Sequence, residues 1–199
     1  MNTLCTRIFV DFWNLQLNLF EHQGRDYKLD WKALSPRLLS EAENILGAPL
    51  QFEGTHVYLS YDPNAPQDRG LHHWSLNVLD RFPGIHVNVK ERKSKRPPTC
   101  PHCHQLIENC PHCGGKMSRT VEKGIDTAIV TDMISLAWED AWDVAILISS
   151  DRDFIPVVDF LSTKGQRVIN VYFPPKGMHL ARTCWGNIDL RPHLEYLAR

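Results

Sequence analysis

The sequence, 199 residues long, predicts an α/β fold with a mostly parallel central sheet between layers of helices. Ala145-Ile146-Leu147-Ile148 is an unbroken apolar run, as in a parallel strand buried on both faces. Strand-like and helix-periodic segments alternate on either side of it, and right-handed crossovers turn that alternation into a three-layer α/β/α sandwich. Composition breaks once, across residues 93–120, where two cysteine pairs follow a basic run, so a small inserted module is expected there within a single domain spanning 1–199.

The elements follow in order. Thr6 to Val10 reads as a first buried strand that ends on Asp11, with Asn14 at the edge of a turn or helix start. Leu34, Leu38, Leu39, Ala42 and Ile45 recur at helical spacing, which predicts a helix over roughly 29–46 stopped by Gly47 and Pro49. His56 to Asp62 is a second strand. Leu71, Trp74, Leu76, Val78 and Leu79 give the next helix, and Ile85 to Lys90 alternates as a third strand. Beyond the insertion, 123–138 reads as a helix with Asp126, Val130, Met133 and Ala137 on one stripe. The central run follows, then a helix with Pro156 in its first turn, where the missing N–H costs nothing. Gln166 to Phe173 is a fifth strand, and a short helix near 178–183 and an extended piece near 188–190 close the chain. No internal repeat or low-complexity tract is evident.

Formal net charge is −1, so no bulk polybasic character argues for nucleic acid or a membrane surface. The first residues run straight into a strand pattern without the apolar core of a signal peptide, and no apolar run approaches the roughly 20 residues of a membrane span. A cytoplasmic protein with no membrane partner is the expectation.

The chemistry lies in the acids. Asp11 ends one inferred strand, Asp151 and Asp153 follow another, and Asp126 heads the helix that feeds the second. In open α/β sheets the carboxyl edge of the strands is where ligands bind. If the first and fourth strands are neighbours, these carboxylates meet in one crevice, where their repulsion calls for a cation. Oxygen-only donor sets suit Mg²⁺ or Mn²⁺, and such ions serve phosphodiester hydrolysis. No Gly-rich phosphate loop and no GxSxG elbow is present, which argues against dinucleotide, P-loop and α/β-hydrolase chemistry.

Three stretches carry a family resemblance: Phe9-Val10-Asp11-Phe12-Trp13-Asn14, Glu122-Lys123-Gly124-Ile125-Asp126 with Asp132 six residues on, and Ser149-Ser150-Asp151-Arg152-Asp153-Phe154. In this order they resemble the NYN family of PIN-like ribonuclease domains. The resemblance implies a PIN-like fold and Mg²⁺- or Mn²⁺-dependent cleavage of RNA. Asp11, Asp126, Asp151 and Asp153 would be the catalytic metal and water ligands, with Asn14 and Asp132 in support. Ser150 stands where the family usually has Gly, and Arg152 where it usually has Ser. That puts a cation between two acids, where it either grips phosphate or offsets the charge that holds metal. Lys123 and Arg152 join Arg92, Lys93, Lys95 and Arg96 of the basic run as expected RNA contacts. The same metal chemistry also cuts DNA.

Cys100-x₂-Cys103-x₆-Cys110-x₂-Cys113 offers four thiolates from two short loops, the spacing of a closed, structural Zn²⁺ site of zinc-ribbon type. His102, His104 and His112 are substitute ligands. Cys5 and Cys184 read as inert packing residues. The leading function is thus a metal-dependent ribonuclease whose basic run and zinc module help hold RNA. The rival is a non-catalytic nucleic-acid- or protein-binding module that retains the fold.

Overall fold

The computed structural model describes residues 3–117 and 119–199; Met1, Asn2 and Ser118, which fall within the expected domain and insertion, lie outside the described residues. In chain order the elements are β1 (Leu4–Asp11), α1 (Phe12–Gln23), α2 (Trp31–Leu46), β2 (Leu50–Tyr61), α3 (Pro66–Asn77), β3 (Ile85–Glu91), β4 (Lys93–Lys95), β5 (Arg119–Val121), α4 (Ile125–Trp138), β6 (Val144–Ile148), α5 (Ile155–Ser162), β7 (Arg167–Tyr172), α6 (Met178–Thr183) and β8 (Gly186–Asp189). The main sheet runs β3-β2-β1-β6-β7-β8 and every pairing in it is parallel. Strand order reverses between β1 and β6, the neighbours on which the sequence argument depended.

Parallel strands buried on both faces need apolar side chains in both directions, and β6 shows it: all five of its residues are buried. Val144, Ile146 and Ile148 pack with Ile8 and Val10 of β1 under α1 and α2. Ala145 and Leu147 pack with Phe9 and Tyr58 under α4 and α5. Helices thus cover each face, giving the three layers. Among the described residues no helix is long and apolar enough to cross a membrane.

Element ends follow local chemistry. Asp30 caps α2 by accepting the Lys32 N–H at 2.9 Å, and Gly47 closes it in the left-handed conformation (φ 63°) that favours glycine. Two elements depart from expectation. α1 occupies a stretch to which periodicity assigned no helix, because only Phe12, Leu15, Asn18 and Leu19 of it are buried, a stripe interrupted by an amide. The final extended piece is β8, a full parallel edge strand on β7.

The insertion leaves and rejoins the domain through a two-stranded antiparallel sheet in which Lys93 faces Val121 and Lys95 faces Arg119. Between those strands sits a ten-residue repeat that the sequence reading missed. Thr99 bridges Leu106 as Asn109 bridges Lys116. The Cys100 N–H donates to Gln105 O and the His104 N–H to Cys100 O; the Cys110 N–H donates to Gly115 O and the Gly114 N–H to Cys110 O. His104 and Gly114 both hold positive φ, at 58° and 70°. Both units read Cys-Pro-His-Cys ten residues apart, and their side chains differ after Cys103 and Cys113.

Because Lys95 and Arg119 already face one another, replacing residues 96–118 by Asn-Gly, a two-residue hairpin loop, is expected to shift the thermal midpoint by no more than about 4 °C. A larger drop in a circular-dichroism melt would make the insertion part of the core.

Candidate active site

The carboxyl ends of β1 and β6 set the floor of a crevice. Asp11 shares a sheet face with Phe9, toward α4, and is only 6 % exposed. It caps α1, its Oδ1 accepting the Asn14 N–H at 3.3 Å, while its Oδ2 accepts the Ser149 hydroxyl at 3.1 Å. Burial is the largest influence on Asp11 and pushes its pKa up to about 7; the two hydrogen bonds pull it down, and the charges of Asp126 and Glu122 push it up again.

Asp151 follows β6 and caps the 3₁₀ turn Arg152–Phe154. Its Oδ1 accepts the Asp153 N–H at 2.9 Å, and its own N–H donates to Ser149 Oγ at 3.1 Å. The cap is therefore Asp151, and the exposed Asp153 carboxylate is not the cap of this turn. Asn14 Oδ1 accepts the Ser150 N–H at 2.9 Å and the Asn18 amide at 3.2 Å, which ties α1 to the loop carrying both acids.

Asp126 stands in the first turn of α4. The sequence stripe placed it in line with the core, but the buried line is Ile125, Ile129, Met133 and Ala137. One residue on, about 100° around the helix, Asp126 lies at the crevice rim. Partial desolvation raises its pKa first, then the charges of Asp151, Glu122 and Asp153. The turn before it is fixed by Lys90, whose Nζ donates to Gly124 O at 2.8 Å.

Glu122 is the member that sequence reasoning missed. Its carboxylate accepts the Ser60 hydroxyl from the end of β2, and Arg92 stands 3.9 Å away. Arg92 Nε also donates to Ser60 Oγ at 3.0 Å, and its guanidinium lies 4.9 Å over the Trp13 ring. The quoted Glu122-Lys123-Gly124 stretch contained the residue, but only packing against β2 gives it a place.

The other expected site residues scatter. Asp132 turns toward β2, accepting the buried Tyr58 hydroxyl at 2.7 Å and facing His56. It does not figure among the charges acting on Asp11 or Asp126. Arg152 is exposed, pairs with no carboxylate among the described residues, and lines a cleft of about 540 Å³ beside Asp151, Asn14, Lys176 and His179. Lys123 is exposed next to Glu122, and Lys93, Lys95 and Arg96 are exposed on and beyond β4.

In the insertion, Cys100 accepts backbone N–H groups of Cys103 and His102, and Cys110 those of Cys113 and His112, which lowers both thiol pKa values. Donors aimed at sulfur favour the thiolate, the form that binds metal. Among the described residues no group of three or more His, Cys, Asp or Glu side chains stands at metal-holding distance, which holds for the four thiols and for the crevice carboxylates alike. Cys184 is buried with its thiol pushed up to about 12, in keeping with an inert packing role.

A parallel α/β sandwich with acids gathered where strand order reverses defines a PIN-like, nuclease-type fold. The chain matches the NYN domain model over residues 6–190 and belongs to that family, a PIN-like family of ribonuclease type that typically uses Mg²⁺ and whose members imply a nucleic-acid substrate. A solved structure of a protein of unknown function from Vibrio parahaemolyticus is similar in fold, with 18 % identity, a TM-score of 0.56, and coverage of 94 % of this chain and 93 % of that one. No curated protein sequence matches significantly.

The raised Asp11 pKa has a testable sign. Between its ordinary value of 3.8 and about 7 the folded chain retains a proton that the unfolded chain has released. Stability in chelator is therefore expected to fall as pH rises through that window. Asp11→Asn is expected to flatten this slope and to raise the melting point at pH 8 by about 2–5 °C. Melts of the two proteins with the same pH slope would refute the protonated, buried Asp11.

Proposed function

We propose that this chain is a divalent-cation-dependent ribonuclease. The observation that supports the reading is the placement of Asp11, Asp126, Asp151 and Asp153, with Glu122, within electrostatic reach at the edge between β1 and β6. Burial with the charges of Asp126 and Glu122 raises the pKa of Asp11, and partial burial with the charges of Asp151, Glu122 and Asp153 raises that of Asp126. No three of them stand at metal-holding distance among the described residues. Acids in such surroundings are answered by hydrogen bonds, a retained proton or a cation, and a cation is the answer that serves nuclease chemistry. The donor set is all oxygen, which fits Mg²⁺ or Mn²⁺. When bound there, the ion supplies charge neutralisation at the phosphodiester and an acidified water.

The chain's own residues divide the remaining work. Asp11, Asp126, Asp151 and Asp153 would hold the cation. Ser149 and Asn14 fix the first acid and the loop of the others. Arg152, with no acid partner, grips a substrate phosphate and leaves the charge of its neighbours in place. Lys123, Lys93, Lys95 and Arg96 neutralise backbone phosphates further out, and Asp132 supports α4 through Tyr58. The thiols of Cys100, Cys103, Cys110 and Cys113 are of the type that holds a structural Zn²⁺, which would draw the two repeat units together.

The test uses labelled RNA with purified protein and Mg²⁺ or Mn²⁺. Asp153→Asn is expected to reduce cleavage at least 100-fold while RNA affinity stays within about threefold; undiminished cleavage would sink the site. Arg152→Ala is expected to weaken RNA binding and its salt dependence; tighter metal binding with unchanged RNA affinity would mean that this arginine opposes the metal. For the insertion, elemental analysis of freshly purified protein is expected to find about one zinc per chain, lost in Cys100→Ser. Finding none would remove zinc from the account.

A further inference from the structure

Beside the carboxylate crevice, across the first turns of α1, lies a cleft of about 720 Å³ that the acids do not use. That size suits a small organic group. Its walls are aromatic and come from separate elements: Trp13 and Phe20 of α1, Tyr27 from the next loop, Trp31 heading α2, Trp74 of α3, and Phe82. Trp31 is buried and stacks on Phe12 with ring centroids 6.2 Å apart, forming a floor. The others are only partly buried, with Arg92 over one face of Trp13 and Lys32 over one face of Phe82, each 4.9 Å from the ring centroid. Two of them are held in place. Trp13 Nε1 donates to Ser60 O at 2.7 Å, and the Tyr27 hydroxyl donates to Leu194 O at 2.7 Å. Rigid aromatic walls order little on binding.

The mouth of the cleft is cationic. Arg25, Lys28 and Lys32 line it, are exposed, and pair with no acid among the described residues. The two acids in the walls are engaged: Asp30 caps α2, and the buried Asp68 accepts the Asp62 N–H at 2.8 Å. Aromatic faces beneath unpaired cations match a base carrying phosphates. The cleft also joins the crevice, because Arg92 touches both, with the Trp13 ring at 4.9 Å and Glu122 at 3.9 Å.

We propose that this cleft receives one base of a single-stranded RNA, stacked against Trp13 and Trp74. Its phosphates lie on Arg92 toward the crevice and on Arg25 and Lys28 at the far side. The proposal rests on the ribonuclease reading and adds to it a pocket that fixes where the strand sits relative to the acids. Stacking alone accepts any base. The side-chain amides of Gln16 and Gln67, which also line the cleft, can hydrogen-bond a base edge and so favour one base over another. A duplex is excluded, since its bases are already stacked and paired.

The experiment measures anisotropy of a labelled single-stranded hexaribonucleotide on the Asp153→Asn protein with Mg²⁺, so that binding is read without cleavage. An abasic nucleotide is placed at each position in turn. One position is expected to lose about tenfold in affinity. Trp74→Ala is expected to lose the same factor on intact RNA and nothing further on RNA abasic at that position. Arg25→Glu with Lys28→Glu, both exposed and remote from the core, is expected to weaken binding and lower its salt slope, which keeps the test open if Trp74→Ala does not fold. Uniform abasic effects, or unchanged binding by both variants, overturn the cleft and leave the ribonuclease reading standing. Equal affinity for the matching duplex overturns it too. Anilinonaphthalene sulfonate bound in the cleft and not displaced by RNA assigns the cleft to an apolar ligand instead. No RNA binding by the Asp153→Asn protein brings down both readings together.

Discussion

One buried carboxylate sets the terms for this structure. Asp11 closes a strand directly after the buried apolar Ile8, Phe9 and Val10, and the parallel sheet surrounds it with β2 on one side and β6 on the other. A carboxyl group so placed is costly unless something answers it. The answers are a helix start beside it, a serine hydroxyl from the end of β6 and a shifted pKa. Each of them fixes a neighbour. Capping orients α1, the bond from Ser149 orients the Asp151 loop, and Asn14 ties the two together. The crevice is thus a set of compensations arranged around one acid, and its other carboxylates sit where those compensations lead.

What the sequence made legible follows from that arrangement. An acid ending an apolar run is conspicuous, so Asp11, Asp151 and Asp153 could be picked out, whereas the adjacency of the first and fourth strands was only a condition until the sheet order gave it. The errors have physical causes. In α4 the stripes through 125 and 126 share Met133 and Ala137, so periodicity could not decide which of Ile125 and Asp126 faces the core. In α1 a buried amide breaks the apolar pattern. Glu122 acquires its place from a serine 62 residues earlier in the chain, a relation that no local pattern carries. The aromatic cleft likewise exists only once α1, α2 and α3 have packed.

The insertion separates two kinds of order. Its hairpin is set by a register within the domain, whereas its interior is two copies of one short backbone pattern. Small units of this kind do not bury enough apolar surface to stabilise themselves. Their geometry is held by backbone hydrogen bonds within each unit and to sulfur. The α/β sheet and the cysteine loops therefore answer to different chemistry, even though both serve the same proposed substrate.

The bond from Ser149 to Asp11 spans 138 residues. During synthesis, Asp11 leaves the ribosome long before β6 exists, and β1 waits beside β2 with its acid unanswered. Pairing of β1 with β6 is among the last and most distant closures the chain can make, and closures over such separations are slow. A shortened product that ends before β6 lacks Asp151 and Asp153 of the carboxylate set, and also Leu194 and Arg199, on which the aromatic cleft draws. Whatever the crevice does is therefore withheld until nearly the whole chain has been made.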